Sequence, residues 1–348
     1  MRTTFIAAAR SLALAAGLAC TCVALAQSPA VSAPEADQAT KQAAQQRSQP
    51  LNNQPLWSEI RSGEPQFTTN QGREANILIQ PQGQTWRAAR VPLATVGGFL
   101  FALTLLAIAV FYLWRGPITQ HSANTGRMIE RFTLVERAVH WSTAITFVTL
   151  AVTGLVLTFG KTVLLPLIGY TLFSWLATLS KTLHNFVGPI LVILLPIMIA
   201  LFLHSNLFRS YDWAWLKKLG GMISGEHVPA GKANAGQKIL FWTMVVGAGI
   251  TLAVTGLILD FPNFNQTRGT MQIANVVHMI AGLIGIILVS GHIYLGTIGM
   301  RGALDAMRTG YVDETWAKEH HEYWYNEVKA GKVAGEGASP LPARQRAG

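Results

Sequence analysis

The 348-residue sequence predicts an all-α integral membrane protein, a bundle of transmembrane helices with a polar segment before it and a basic tail after it. Three observations predict this. Half of the residues are hydrophobic and 13% are charged, the balance of a membrane chain. Apolar runs of about 20 residues, the length that crosses a bilayer, recur five times. The formal charge of +10 is spread over short connections between those runs. A nucleic-acid-binding surface would instead gather its basic residues on one face with aromatics between them, so no nucleic-acid partner is expected.

Residues 1–26 read as a cleaved signal peptide. Arg2 and Arg10 precede the apolar run Ser11–Leu25, and Ala24-Leu25-Ala26 forms a small-residue cleavage site. Both cysteines, Cys20 and Cys22, fall inside it. The mature chain is therefore expected to form no disulfide and to offer no thiolate to a metal, which leaves histidine for any metal binding. Residues 27–90 form an extension rich in Gln, Ser, Ala, Pro and Asn, read either as a leader with a small ordered patch between Trp57 and Trp86 or as a solvated linker.

The five spans are expected at residues 91–114, 139–159, 183–203, 239–259 and 273–296. Arg115, Arg127, Arg131 and Arg137 follow the first, and Arg209, Lys217, Lys218, Lys232 and Lys238 follow the third. The connections after the second and fourth carry Lys161, Lys181 and Arg268. By the positive-inside rule the extension lies outside and the tail, residues 301–348, inside. This orientation agrees with a secretory signal and implies a bacterial inner membrane, with a periplasmic extension, a cytoplasmic C-terminus and lipid around the spans.

The four later spans repeat. LAVTGLVLTF at 150–159 returns as LAVTGLILDF at 252–261, and His184-x-x-x-Gly188 returns as His278-x-x-x-Gly282. Two helix hairpins of similar design follow. A glycine one turn from a histidine would let a flat group lie against the helix, although small residues also serve helix–helix packing in membranes.

Histidines inside apolar spans need a partner. His278 and His292 are fourteen residues apart, roughly 21 Å and nearly four whole turns on a helix, so they share a side at opposite depths. His140 begins the second span on the inner side and His184 begins the third on the outer side. Four histidines therefore sort by depth into an inner pair, His140 with His292, and an outer pair, His184 with His278. A single membrane histidine is more often an interhelical hydrogen-bond donor than a ligand, but four that pair by depth favour two haem irons. The expected fold is then a four-helix haem-binding transmembrane bundle over 131–300, plus one extra N-terminal transmembrane helix. His204 is expected at the interface, and His121, His227, His320 and His321 as solvated side chains.

RFTLVERAVHW at 131–141, NAGQKILFW at 234–242, the His278/His292 spacing and WAKEHHEYWYNEV at 316–328 resemble the gamma subunit, the cytochrome b subunit, of membrane-bound formate dehydrogenases. The resemblance runs from about Arg131 to Val328. It implies two haem b groups, with His140 and His292 as metal ligands of the inner one and His184 and His278 of the outer one. It also implies a quinone site bordered by Asn234, Gly236 and Gln237 near His292. A helix start capped by Asn234 accounts for the same residues equally well. The implied partners are a catalytic formate dehydrogenase subunit and an iron–sulfur subunit, and a trimer of such heterotrimers is open. Formate chemistry itself would lie outside this chain, which carries electrons inward to quinone. Three other readings stand beside this one: the cytochrome b subunit of another respiratory complex such as an uptake hydrogenase, a haem-free anchor, and a transporter. Against the transporter, no expected span is broken by a Gly/Pro cluster around a central polar site.

Overall fold

In the computed structural model, residues 81–333 other than Asn265 are described, together with Thr40, Lys41 and Ala44. The expected signal peptide, most of the extension and the last residues of the tail lie outside the described residues. Five helices among the described residues are long and apolar enough to cross a membrane.

The first helix, α1, covers Pro81–Arg115 and keeps a largely exposed apolar surface, Leu113 being 82% exposed. Its mid-part meets the second span closely, since a Cβ at Gly98 would come within 3.0 Å of the Phe159 ring. Near its C-terminal end Phe111 and Tyr112 stand edge-on to Tyr294, at 6.4 and 6.3 Å between ring centres.

Helix α2, Leu134–Val163, begins where the sequence supplies a start signal. Thr133 Oγ1 accepts the Glu136 amide and Glu136 Oε2 accepts the Thr133 amide, so two otherwise unpaired donors are met reciprocally. A single residue, Leu164, joins α2 to α3, Leu165–Phe202, and the two pack as an antiparallel hairpin. The sequence placed a connection at 160–182. Helix occupies it instead, because Pro166 favours a helix start and Gly169, at φ 75°, absorbs the bend that follows.

After α3 the chain makes a short 3₁₀ turn at His204–Asn206 and the helix α4, Asp212–Lys217. Helix α5, Ala235–Leu240, then runs through a π-helical stretch, Phe241–Ala248, into α6, Gly249–Asp260. Gly249 allows close packing on α3, because a Cβ there would sit 2.8 Å from Leu195 Cδ1. Helix α7, Arg268–Tyr294, continues as a π-helical turn, Leu295–Gly299.

The segment expected as a tail folds into a module. Helix α8, Ala303–Thr309, ends at Gly310 with φ 94°, whose carbonyl accepts the amides of Arg131 and Phe132 just before α2. Strand β1, Met128–Glu130, pairs antiparallel with β2, Tyr311–Asp313, with Ile129 opposite Val312. Helices α9, Glu314–His320, and α10, Glu322–Lys329, complete it around Ile129, Val312, Trp316 and Trp324, each under 5% exposed. Burial of these side chains, about 1.5–3 kcal/mol for each large apolar group, anchors the entry to α2.

The chain divides into two compact units. Among the described residues one holds 98–253 and 281–333, and the other 81–97 and 254–280.

Candidate functional site

Within the first unit, His140 in the second turn of α2 and His292 near the end of α7 come together. Their ring centres are 6.2 Å apart and the rings are inclined at 63°. That separation suits two imidazoles on opposite sides of one metal, each metal–nitrogen bond being roughly 2 Å. Trp141 stands edge-on to His140 at 5.6 Å. His140 Nδ1 is buried and makes no hydrogen bond. An unpaired buried polar atom costs about 1–3 kcal/mol unless another group uses the ring. Among the described residues no cluster of three or more His, Cys, Asp or Glu converges as a bare-ion cage requires. A haem iron takes four ligands from its macrocycle and asks the protein for two, so this pair fits haem b.

The other two histidines are each held by a threonine. In the first unit Thr153 Oγ1 lies 2.9 Å from His184 Nδ1, and in the second unit Thr255 Oγ1 lies 2.9 Å from His278 Nδ1. The residue after each threonine is a glycine against the same ring. A Cβ at Gly154 would be 3.4 Å from His184 Cε1, and one at Gly256 would be 3.5 Å from His278 Cε1. Val-Thr-Gly of the sequence repeat is therefore a histidine-seating unit used twice. Sequence reasoning found the repeat and missed its threonines; their identical spacing to the glycine was the available signal.

Of the glycines one turn past these histidines, Gly188 faces open space and Gly282 has one neighbour at ordinary contact distance. A Cβ at Gly188 would meet nothing within 4 Å, and at Gly282 it would meet Leu252 Cδ2 at 3.9 Å. Tight helix packing does not require either glycine, which leaves the reading that they clear a surface for a flat ligand.

Asn234 and Gln237 engage each other in a capping box. Asn234 Oδ1 accepts the Gln237 amide at 2.9 Å and Gln237 Oε1 accepts the Asn234 amide at 3.0 Å. Their NH2 groups remain as the donors a ligand carbonyl could use. Gly236 lies under Trp215, whose ring a Cβ would approach to 3.0 Å. No hydrogen bond or ring contact joins these three residues to His292 among the described residues.

Next to the capping box, Lys238 Nζ bonds both carboxylate oxygens of Asp212, at 3.0 and 2.7 Å, with the two side chains 2% and 3% exposed. The sequence did not suggest this pair, because Lys238 reads as one more inner-face cation.

Two expectations are corrected. His320 is half-buried with its Nε2 enclosed, and His321 is not solvated but 2% exposed. Arg131 Nη2 donates to its Nε2 at 2.8 Å, so the proton sits on Nδ1 and is donated to the Gly231 carbonyl at 2.6 Å. Burial, then the adjacent guanidinium, hold His321 well below its ordinary value, and burial lowers Arg131 to about 9. His320 is pushed down to about 4, chiefly by burial. His121 and His227 are exposed, as expected, and lie beside Glu319 and Glu322.

A sequence profile described as prokaryotic cytochrome b561 matches residues 131–310. The chain is 32% identical over 210 residues to the formate dehydrogenase cytochrome b556(fdo) subunit of Escherichia coli K12, covering 58% of this chain and 93% of that one. It is 31% identical over 221 residues to the nitrate-inducible formate dehydrogenase cytochrome b556(Fdn) subunit of the same strain, covering 60% and 96%. A formate dehydrogenase cytochrome b556 subunit of Haemophilus influenzae is 28% identical over 208 residues, covering 57% and 82%. Residues 131–310, which the profile matches, hold all four histidines and leave out α1.

Proposed function

The chain belongs to the prokaryotic cytochrome b561 family, together with the cytochrome b556 subunits of formate dehydrogenases, and we propose that it conducts electrons across the membrane from an iron–sulfur subunit to quinone. The observation that carries this reading is the pairing of His140 with His292, at 6.2 Å between ring centres, where the start of α2 meets the end of α7. His140 and His292 would hold one haem b, and His184 and His278, which the sequence pairs by depth, would hold the second. Held by a pair of histidines, haem b would supply one-electron transfer, which suits relay rather than oxygen activation.

The protein's own residues supply the rest. The apolar faces of α2 and α7 exclude water from the inner pair and lower the local dielectric, which strengthens every charge interaction there. Asn234 and Gln237 keep amide donors for a quinone carbonyl at the inner end of α5, and Gly236 leaves room beside them. The Lys238–Asp212 pair fixes that helix end against α4. Formate is oxidised on a separate catalytic subunit on the outer side, so this chain moves negative charge inward. Each elementary charge moved through 100 mV corresponds to about 2.3 kcal/mol.

The donor separates this reading from that of an uptake hydrogenase subunit, and the relatives favour formate. Formate added to the intact membrane complex is expected to give a reduced b-type spectrum and then quinol. Reduction by hydrogen and not by formate would overturn the assignment of the donor.

A further inference from the structure

We propose that Thr153 and Thr255 are positioning residues that fix the tautomer and ring orientation of His184 and His278 as metal ligands. The proposal rests on the two-haem reading and adds a role that the histidines alone do not carry.

Thr153 shows the arrangement most completely. Its Oγ1 lies 2.8 Å from the Thr149 carbonyl, 3.1 Å from the Leu150 carbonyl and 2.9 Å from His184 Nδ1. A hydroxyl has one proton, and a carbonyl can only accept. With that proton given to the helix backbone, the hydroxyl oxygen is left to accept, so His184 Nδ1 carries the hydrogen and donates it. The lone pair then stands on Nε2, the nitrogen that ligates. An acceptor on the far side of a ligand histidine fixes the ring and raises its basicity.

The same contact recurs at the same distance in the second unit, between Thr255 Oγ1 and His278 Nδ1. Each threonine is followed by the glycine against which the ring rests, so Val-Thr-Gly orients the imidazole by a hydrogen bond and by a flat contact. The rest of the molecule supplies the contrast. Thr149, one turn from Thr153, has the same kind of backbone bond, to the Ile145 carbonyl at 2.8 Å, and among the described residues its hydroxyl bonds no histidine. A threonine that merely satisfies its own helix looks like Thr149.

The test uses the intact complex and five variants: Thr153→Val, Thr255→Val, their Ser counterparts, and Thr149→Val as a control on the same helix as Thr153. Haem per chain is counted during stepwise haem extraction, and the midpoint potential of each haem is titrated. Either Val variant is expected to weaken retention of one haem by about 10–100-fold and to raise its potential, because a ring that no longer donates from Nδ1 is a poorer electron donor to iron. The Ser variants should restore both properties, and Thr149→Val should change neither. Both haems retained at native potentials in both Val variants would overturn the proposal. So would a loss that Ser does not rescue, since that would be packing. If a Val variant does not assemble, the Ser variant is compared with Thr→Ala, and equal haem retention and potentials in the two would overturn the proposal. Absence of haem from the native complex would instead sink the two-haem reading itself.

Discussion

His184 and His140 lie in the same compact unit, on helices of one hairpin, yet they are held differently. His184 has its Nδ1 on Thr153 and its ring against Gly154. His140 has a buried Nδ1 with no hydrogen bond, and its neighbour is the edge of Trp141. A histidine with an acceptor behind it has a set tautomer before any ligand arrives. One without it depends on packing around its helix start and on the ligand itself. That helix start is gripped by the folded module, through Gly310 and through Trp141 Nε1, which donates to the Met307 carbonyl at 2.9 Å. His184 and His278 are thus positioned by their own hairpins, and His140 is positioned by the module behind it.

This contrast can be broken at several points. The largest effect is expected from Trp316→Ala, which empties the module core and should cost about 3–5 kcal/mol. Measured in the assembled complex, the loss should fall on the His140–His292 haem, and a preferential loss of the other haem would contradict the account. Asp212→Asn leaves Lys238 buried without its counter-charge, for a cost of about 3–5 kcal/mol when one partner of a buried pair is removed. Thermal unfolding of the variant should fall well below that of wild type, and Asp212→Asn with Lys238→Met should recover most of the difference.

Acidification should act more gently, and on the module first. His320 in the folded chain is lowered to about 4, chiefly by burial, and His321 is lowered further below its ordinary value of 6.5. Below pH 6.5 the unfolded chain takes up protons that the folded chain refuses, so module stability falls from about pH 6.5 toward 4. Glu314 is held at about 2 by Lys329, Tyr325 and Arg127, and its stabilising contribution is present above pH 4.5 and lost as pH falls toward 2. Protease cleavage between residues 301 and 333 should rise over the first window. Cleavage independent of pH would show that these groups do not govern the module.

Much of the fold was legible because a bilayer imposes one length and one polarity on every span. The five helices, their order and the four histidines all follow from runs of about 20 apolar residues with a few polar exceptions. The extra turns of α3 were not legible, since 165–182 is apolar and helix-forming yet not needed to cross. Nor was the module, because its strands have three residues each and pair 128–130 with 311–313 across the whole bundle. Residues whose role is to touch another residue were the hardest to read. Thr153 is one of several threonines on α2, and Arg131 and His321 meet across 190 positions. Asn234 and Gln237 were legible as a pair, since an Asn three residues before a Gln at a helix start signals a capping box as readily as a ligand site.

The central claim is that His140 and His292 share one haem. It is tested most directly by counting haem b per chain in the purified complex, for wild type and for His140→Ala. The account predicts about two in the wild type and one in the variant, with the remaining haem at an unchanged potential. An unchanged count in the variant, or a wild type with no haem, would contradict it.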